Sequence, residues 1–168
     1  MPKGFHPRRQ GDVGEATAIN WLTRIGACVA FPLFHSPDYD LIADLAGAML
    51  RVQVKTSTYR PRTQNFAIQL STSGGNQSWT GTVKTFDPAR VDFLFALVAD
   101  GRCWFIPSHE IEGRRAISLG GTKYSEFEIE RAAPISRLDE GSSKLSVRRG
   151  GAGVGEPGQT VNLVSQTE

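Results

Sequence analysis

The residue types best suited to chemistry cluster between Ser36 and Ser57, in the stretch SPDYDLIADLAGAMLRVQVKTS. Asp40, Gln53 and Lys55 supply an acid, an amide and an amine within it, and Glu15 adds a second carboxylate upstream. Two carboxylates and an amide oxygen are hard ligands suited to Mg²⁺, an ion that keeps several waters and leaves room for a substrate phosphate. An amine beside it would balance charge on a developing phosphorane, or position and help activate the attacking water. In-line hydrolysis of a phosphodiester is the reaction these four side chains fit.

Their positioning depends on a hairpin. Asp40 to Leu45 and Met49 to Lys55 read as two strands joined at Ala46-Gly47, where glycine tolerates positive φ. Alternation sends Leu50, Val52 and Val54 to one face and Arg51, Gln53 and Lys55 to the other. A turn centred on Ala46-Gly47 sets Asp40 opposite Gln53, with Lys55 diagonally beyond on the same face. Asp38 shares that patch only if the strand starts early.

Glu15 belongs to a helix expected from Gly11 to Gly26, with Asp12 as N-cap or first-turn acid. Glu15, Ala18, Ile19 and Leu22 share one face, which places a carboxylate in an apolar stripe. Buried there, it needs a cation or strong donor opposite it; the alternative is that it reaches solvent.

The remaining chain supplies the frame. Cys28 to Phe34 reads as a strand packed on the helix, and Asn65 to Leu70 as another. Val91 to Ala99 is apolar on both faces, as a covered central strand would be, and Asp100-Gly101 signals a type I′ turn into Arg102 to Ile106. Pro107 to Ile111 reads as a short helix and Phe127 to Ile129 as an edge strand. Residues 71–86 form a polar loop in which Trp79 is either a nucleic-acid contact or a core anchor. The expected organisation is a flexible basic arm over 1–10, one α/β domain with a mixed sheet over 11–135, and a disordered tail over 136–168.

Composition narrows the classes further. A hydrophobic fraction of 39% and a net charge of +2 describe an ordinary soluble domain that permits a nucleic-acid partner without demanding one. Cys28 and Cys103 lack metal-ligand spacing and read as buried free thiols of a cytoplasmic protein. No apolar signal segment or membrane span is visible. His6, His35 and His109 are scattered, and neither a Ser/His/Asp arrangement nor a Walker loop nor GxGxxG is present.

Taken together, Glu15 in GDVGE, the PDYD segment and the VQVKTS strand resemble the PD-(D/E)xK nuclease superfamily. With the later VDFLFALV and CWFIP strands, the resemblance is closer to its group I intron-associated homing endonucleases and covers roughly residues 10 to 130. It implies a restriction-endonuclease-like mixed β-sheet flanked by helices. It also implies an Mg²⁺-dependent endodeoxyribonuclease acting on double-stranded DNA as a homo-oligomer, dimer or tetramer. By that resemblance Glu15 and Asp40 are the catalytic acids and Lys55 the catalytic lysine. Gln53 stands where Asp or Glu is commoner, which favours a single tightly held ion. Arg8, Arg9, Arg60, Arg62 and Lys84 are the expected phosphate contacts. A Holliday-junction-type resolvase of the same fold and a non-catalytic DNA-binding module are the other readings.

Overall fold

A computed structural model of the chain describes residues 7–33, 38–61, 64–73, 83–84 and 86–135. The expected tail over 136–168, most of the 71–86 loop with Trp79, and His35 lie outside these residues.

The helix, α1, runs from Pro7 to Arg24, so it begins at Pro7 rather than Gly11. Proline suits a helix's first turn because the missing N–H has no partner there anyway. Arg8 and Arg9 are therefore helical and not part of a loose arm, and Asp12 is interior and not a cap. Gly26, with φ of 93°, ends the helix as expected. Its N–H donates to Thr23 O at 3.0 Å and Ala27 N–H to Leu22 O at 3.0 Å, the paired bonds of a Schellman motif.

Six strands form the main sheet: β1 (Cys28–Ala30), β2 (Leu41–Leu45), β3 (Ala48–Ser57), β7 (Phe93–Val98), β8 (Cys103–Pro107) and β10 (Glu128–Ile129), in that spatial order. Among the described strands only β3 and β7 run parallel, which makes the sheet mixed. The hairpin register pairs Leu45 with Ala48 and Leu41 with Val52 across Ala46 and Gly47. Both turn residues have positive φ, 52° and 85°, as a type I′ turn requires. β7 is buried from Leu94 to Val98 between β3 and β8. A parallel pairing needs both faces covered, and the apolar run supplies that.

α1 covers one face, where Ala18, Leu22, Val52, Val54, Phe95 and Leu97 form one core. Trp21 adds a tilted contact with Phe105 at 4.9 Å between ring centroids. The opposite face of β7 and β8 lies under a separate two-stranded sheet, β4 (Phe66–Gln69) with β9 (Ala116–Leu119). Phe66, Ile68, Ile117 and Leu119 pack down onto Leu94, Ala96, Trp104 and Ile106. Among the described residues α1 and this β layer thus cover the two faces of the mixed sheet. β5 (Thr72–Ser73) and β6 (Val83–Lys84) form a short ribbon, and 3₁₀ turns occur at Ser108–Ile111 and Ser125–Phe127.

Three further expectations are corrected. β1 stops at Ala30, opposite Ile42, and Phe31 and Leu33 are exposed. Cys28 is exposed because it pairs with Asp44 on the edge strand, facing away from α1; Cys103 is buried and its thiol is pushed up to about 11 by desolvation. The Asp100-Gly101 turn is not type I′, because only Gly101 has positive φ, 84°. Gly101 N–H donates to Val98 O at 2.9 Å, which makes a type I turn closed by a left-handed glycine. No described helix is long and apolar enough to cross a membrane.

Ala46 is an L-residue held in the left-handed region, which costs about 1 kcal/mol that asparagine largely avoids. Ala46→Asn is therefore expected to raise stability by roughly 0.5 to 1 kcal/mol in urea denaturation, with an unchanged m-value.

Candidate active site

α1 crosses β3 at Gly14, which lies directly against Val54 and Thr56. That crossing delivers Glu15 to the hairpin. The pairing of Leu41 with Val52, carried one residue further, sets Asp40 opposite Gln53 as the sequence spacing predicts. Val52 and Val54 are buried toward α1, so Gln53 and Lys55 project to the other face. β1 ends opposite Ile42, so Asp40 lies beyond the end of that ladder.

Asp40 is fixed twice. Its main-chain N–H donates to Val52 O at 2.9 Å, and its carboxylate Oδ2 accepts the Val54 N–H at 2.7 Å. The second carboxylate oxygen has no protein donor among the described residues. Burial pushes the Asp40 carboxyl above its usual range, against the pull of the Val54 N–H and of Lys55. Burial pushes the Lys55 ammonium down, with Asp40 acting the other way.

Glu15 is half-buried, and desolvation, then Asp40, then Asp12 all raise its carboxyl. Glu15 is partly open to solvent, the second of the two settings expected for it, and the charges that act on it are Asp40 across the interface and Asp12 on its own helix. Gln53 is buried, and its Oε1 has no hydrogen-bond partner. A buried carbonyl oxygen left unpaired costs about 1–3 kcal/mol, which an external cation or donor would recover. Asp40 and Gln53 thus bring a carboxylate and an unpaired amide oxygen to adjacent strand positions, and Glu15 lies near enough to Asp40 to feel its charge; hard oxygen donors of these kinds suit a divalent cation. Among the described residues no group of three His, Cys, Asp or Glu side chains could hold a metal ion.

The other predicted residues stand apart. Asp38 is tied to Arg90 at 2.7 Å, and Arg90 also approaches Asp87 at 3.6 Å, which places Asp38 outside the cluster. Arg8 and Arg9 lie exposed in the first turn of α1. Arg60 pairs with Asp100 at 3.2 Å and stacks over Phe66 at 4.2 Å, so its charge is partly neutralised within the fold. Arg62 and the Lys84 side chain lie outside the described residues.

Sequence reasoning missed two features around the cluster. Arg51 makes a fork to Asp92, with Nε to Oδ2 at 3.0 Å and Nη2 to Oδ1 at 2.9 Å, and this locks the entry of β3 to β7. Gln10 donates Nε2 to Thr56 O at 2.8 Å and pins the start of α1. The glycine in GDVGE was the available signal, since glycine inside a helix costs about 1 kcal/mol relative to alanine unless something needs the space.

The raised carboxyls of Glu15 and Asp40 predict how metal-free stability varies with pH. Below the ordinary values of 4.5 and 3.8 both groups are protonated folded or unfolded, so no penalty exists. As pH rises through the folded values the unfolded chain loses its protons more readily, and stability falls. Glu15→Gln and Asp40→Asn should each gain melting temperature relative to the parent between about pH 4 and pH 8 in EDTA. A parent that gains on the variants over that range would contradict the arrangement.

The comparisons follow the same outline. A family model described as PD-(D/E)XK endonuclease matches residues 5–126. A solved structure titled as that of a bacterial homing endonuclease, I-Ssp6803I, is similar in fold with a TM-score of 0.61 at 23% identity. The likeness covers 83% of this chain and 98% of that one. No curated protein matches significantly.

Proposed function

Since the chain belongs to the PD-(D/E)XK endonuclease family, we propose that it is an Mg²⁺-dependent endodeoxyribonuclease that hydrolyses phosphodiester bonds in double-stranded DNA. The observation that carries this reading is the buried, unpartnered Gln53 Oε1 on the strand position opposite Asp40, whose negative charge in turn raises the Glu15 carboxyl. Asp40, Gln53 and Glu15 are the residues that would hold the ion. An amide in place of a third acid lowers the negative charge of the site, which favours one ion over two. When bound, Mg²⁺ would polarise a phosphoryl oxygen and lower the pKa of its water.

The protein's own groups divide the remaining work. The Val54 N–H holds one Asp40 oxygen and so orients the other outward. Lys55, half-buried and with its ammonium pKa lowered, presents a proton donor and positive charge for the phosphate oxygens as charge builds on them. Arg8 and Arg9 on α1, with Arg60, Arg62 and Lys84, are assigned to the phosphate backbone, which positions the duplex without reading it. Arg60 would exchange Asp100 for phosphate on binding.

We take a homing- or restriction-like role as the reading, in keeping with the fold likeness to a homing endonuclease, and a junction resolvase of the same fold as the alternative. Cutting both strands calls for a homo-oligomer, dimer or tetramer, that brings two sites to one duplex. A module that only binds DNA gains nothing from adjacent like charges, which lower its stability.

The test is incubation with supercoiled, linear and junction DNA in Mg²⁺ or EDTA. Cleavage is expected only with the ion, and Lys55→Ala should lose at least about 10²-fold in rate while binding DNA within a few-fold of the parent. Binding without cleavage on every substrate would overturn the nuclease reading, and native-rate cleavage by Lys55→Ala would overturn that residue's role.

A further inference from the structure

Gly14 has no conformational reason to be glycine: it lies in the interior of α1, and its φ is not in the left-handed region. Helix propensity alone favours alanine there. The reason lies across the interface. A Cβ on Gly14 would stand 2.0 Å from Thr56 Oγ1, 3.2 Å from Val54 Cγ1 and 3.3 Å from Thr56 Cβ. The Thr56 hydroxyl is buried, has no hydrogen-bond partner, and occupies the volume that any side chain at Gly14 would need.

Gln10 lies one turn earlier on the same helix face and bonds the main-chain oxygen of the same residue, Thr56 O, at 2.8 Å. Two independent contacts, one steric and one polar, therefore converge on Thr56. Each adjoins a functional residue: Gly14 precedes Glu15, and Thr56 follows Lys55. The second half of α1 is held by the apolar packing of Ala18, Trp21 and Leu22 and by the Arg24–Glu130 ion pair, so Gln10 and Gly14 are the contacts that serve its first half nearest Glu15.

We propose that Gln10 and Gly14 are positioning residues that clamp the first half of α1 onto Thr56 and so hold the Glu15 carboxylate within reach of the cation bound by Asp40 and Gln53. The clamp rests on the metal-dependent reading above. A methyl group at Gly14 cannot fit unless the Thr56 side chain turns away or helix and strand part, and a misplacement of about 1 Å is of the size that can cost about 10²-fold in rate. Removing the Thr56 side chain beyond Cβ clears the closest contact and lets the helix settle back.

The experiment compares the full-length parent with Gly14→Ala, Gln10→Ala, Thr56→Ala and the Gly14→Ala/Thr56→Ala double variant. Mg²⁺ binding is measured by calorimetry, melting in EDTA, and kcat and KM on cleaved DNA. Gly14→Ala should weaken Mg²⁺ binding about tenfold and lower kcat about 10²-fold with KM within about twofold; Gln10→Ala should move in the same direction by less. The double variant should recover most of both losses. If Gly14→Ala does not fold, Gln10→Ala and the double variant carry the test, the first weakened and the second near parental. Parental Mg²⁺ affinity in a folded Gly14→Ala, or a double variant that melts as the parent yet stays weak, would overturn the clamp alone. A parent chain that binds no Mg²⁺ would overturn the clamp and the metal-dependent reading together.

Discussion

Because strand side chains alternate, sliding β2 by one residue against β3 would turn Asp40 toward the helix while Gln53 and Lys55 stayed on the other face. The hairpin register therefore constrains everything built on it. Three things fix it: the two positive-φ residues at Ala46 and Gly47, the burial of Leu41, Ala43, Val52 and Val54 toward α1, and the Val54 N–H held by the Asp40 carboxylate. The last of these ties the register to the side chains themselves, since a slipped strand would lose both the bond and the pairing of Asp40 with Gln53.

The rest of the molecule keeps that hairpin still. β3 is an interior strand, paired with β2 on one side and in parallel with β7 on the other, and the Arg51–Asp92 fork closes the entry of the parallel pair. A core on each face holds β7. Such a frame can maintain adjacent carboxylates that a softer one would let drift apart. Their repulsion is small beside the apolar burial around them, so the fold tolerates a locally unfavourable arrangement that a bound cation would relieve.

Much of this was legible in the residues. Asp40, Gln53 and Lys55 follow from a period of two and one glycine turn, and β7 from an apolar run longer than a half-exposed strand would carry. What stayed hidden depends on partners distant in sequence. The Phe66–Gln69 segment has strand character, yet nothing in it says that it leaves the main sheet to pair with Ala116–Leu119. Cys28 sits in an apolar run, but its exposure follows from β1 being the outer strand. The Asp100-Gly101 dipeptide fits two hairpin geometries, and the extra loop residue selected the one with a single left-handed position. Asp12, one turn before Glu15, was visible in the sequence, whereas the charge of Asp40 on Glu15 became visible only once the helix was set on the sheet.

The segment after β10 has a consequence of its own. Ala132 N–H bonds Gly101 O at 2.8 Å, Ile135 N–H bonds Ala99 O at 3.1 Å, and Ile135 is buried in the core beneath α1. Ala132 O also fills the place where a side chain at Gly101 would go. The chain beyond Ile135 thus starts from a point anchored at the β7–β8 turn, which itself receives a bond from the end of β3 through Ala99 N–H and Ser57 O. Ile135 is thereby held close to the end of the same strand that bears Lys55, so the last described residue of the chain and the hairpin share one fixed corner of the sheet.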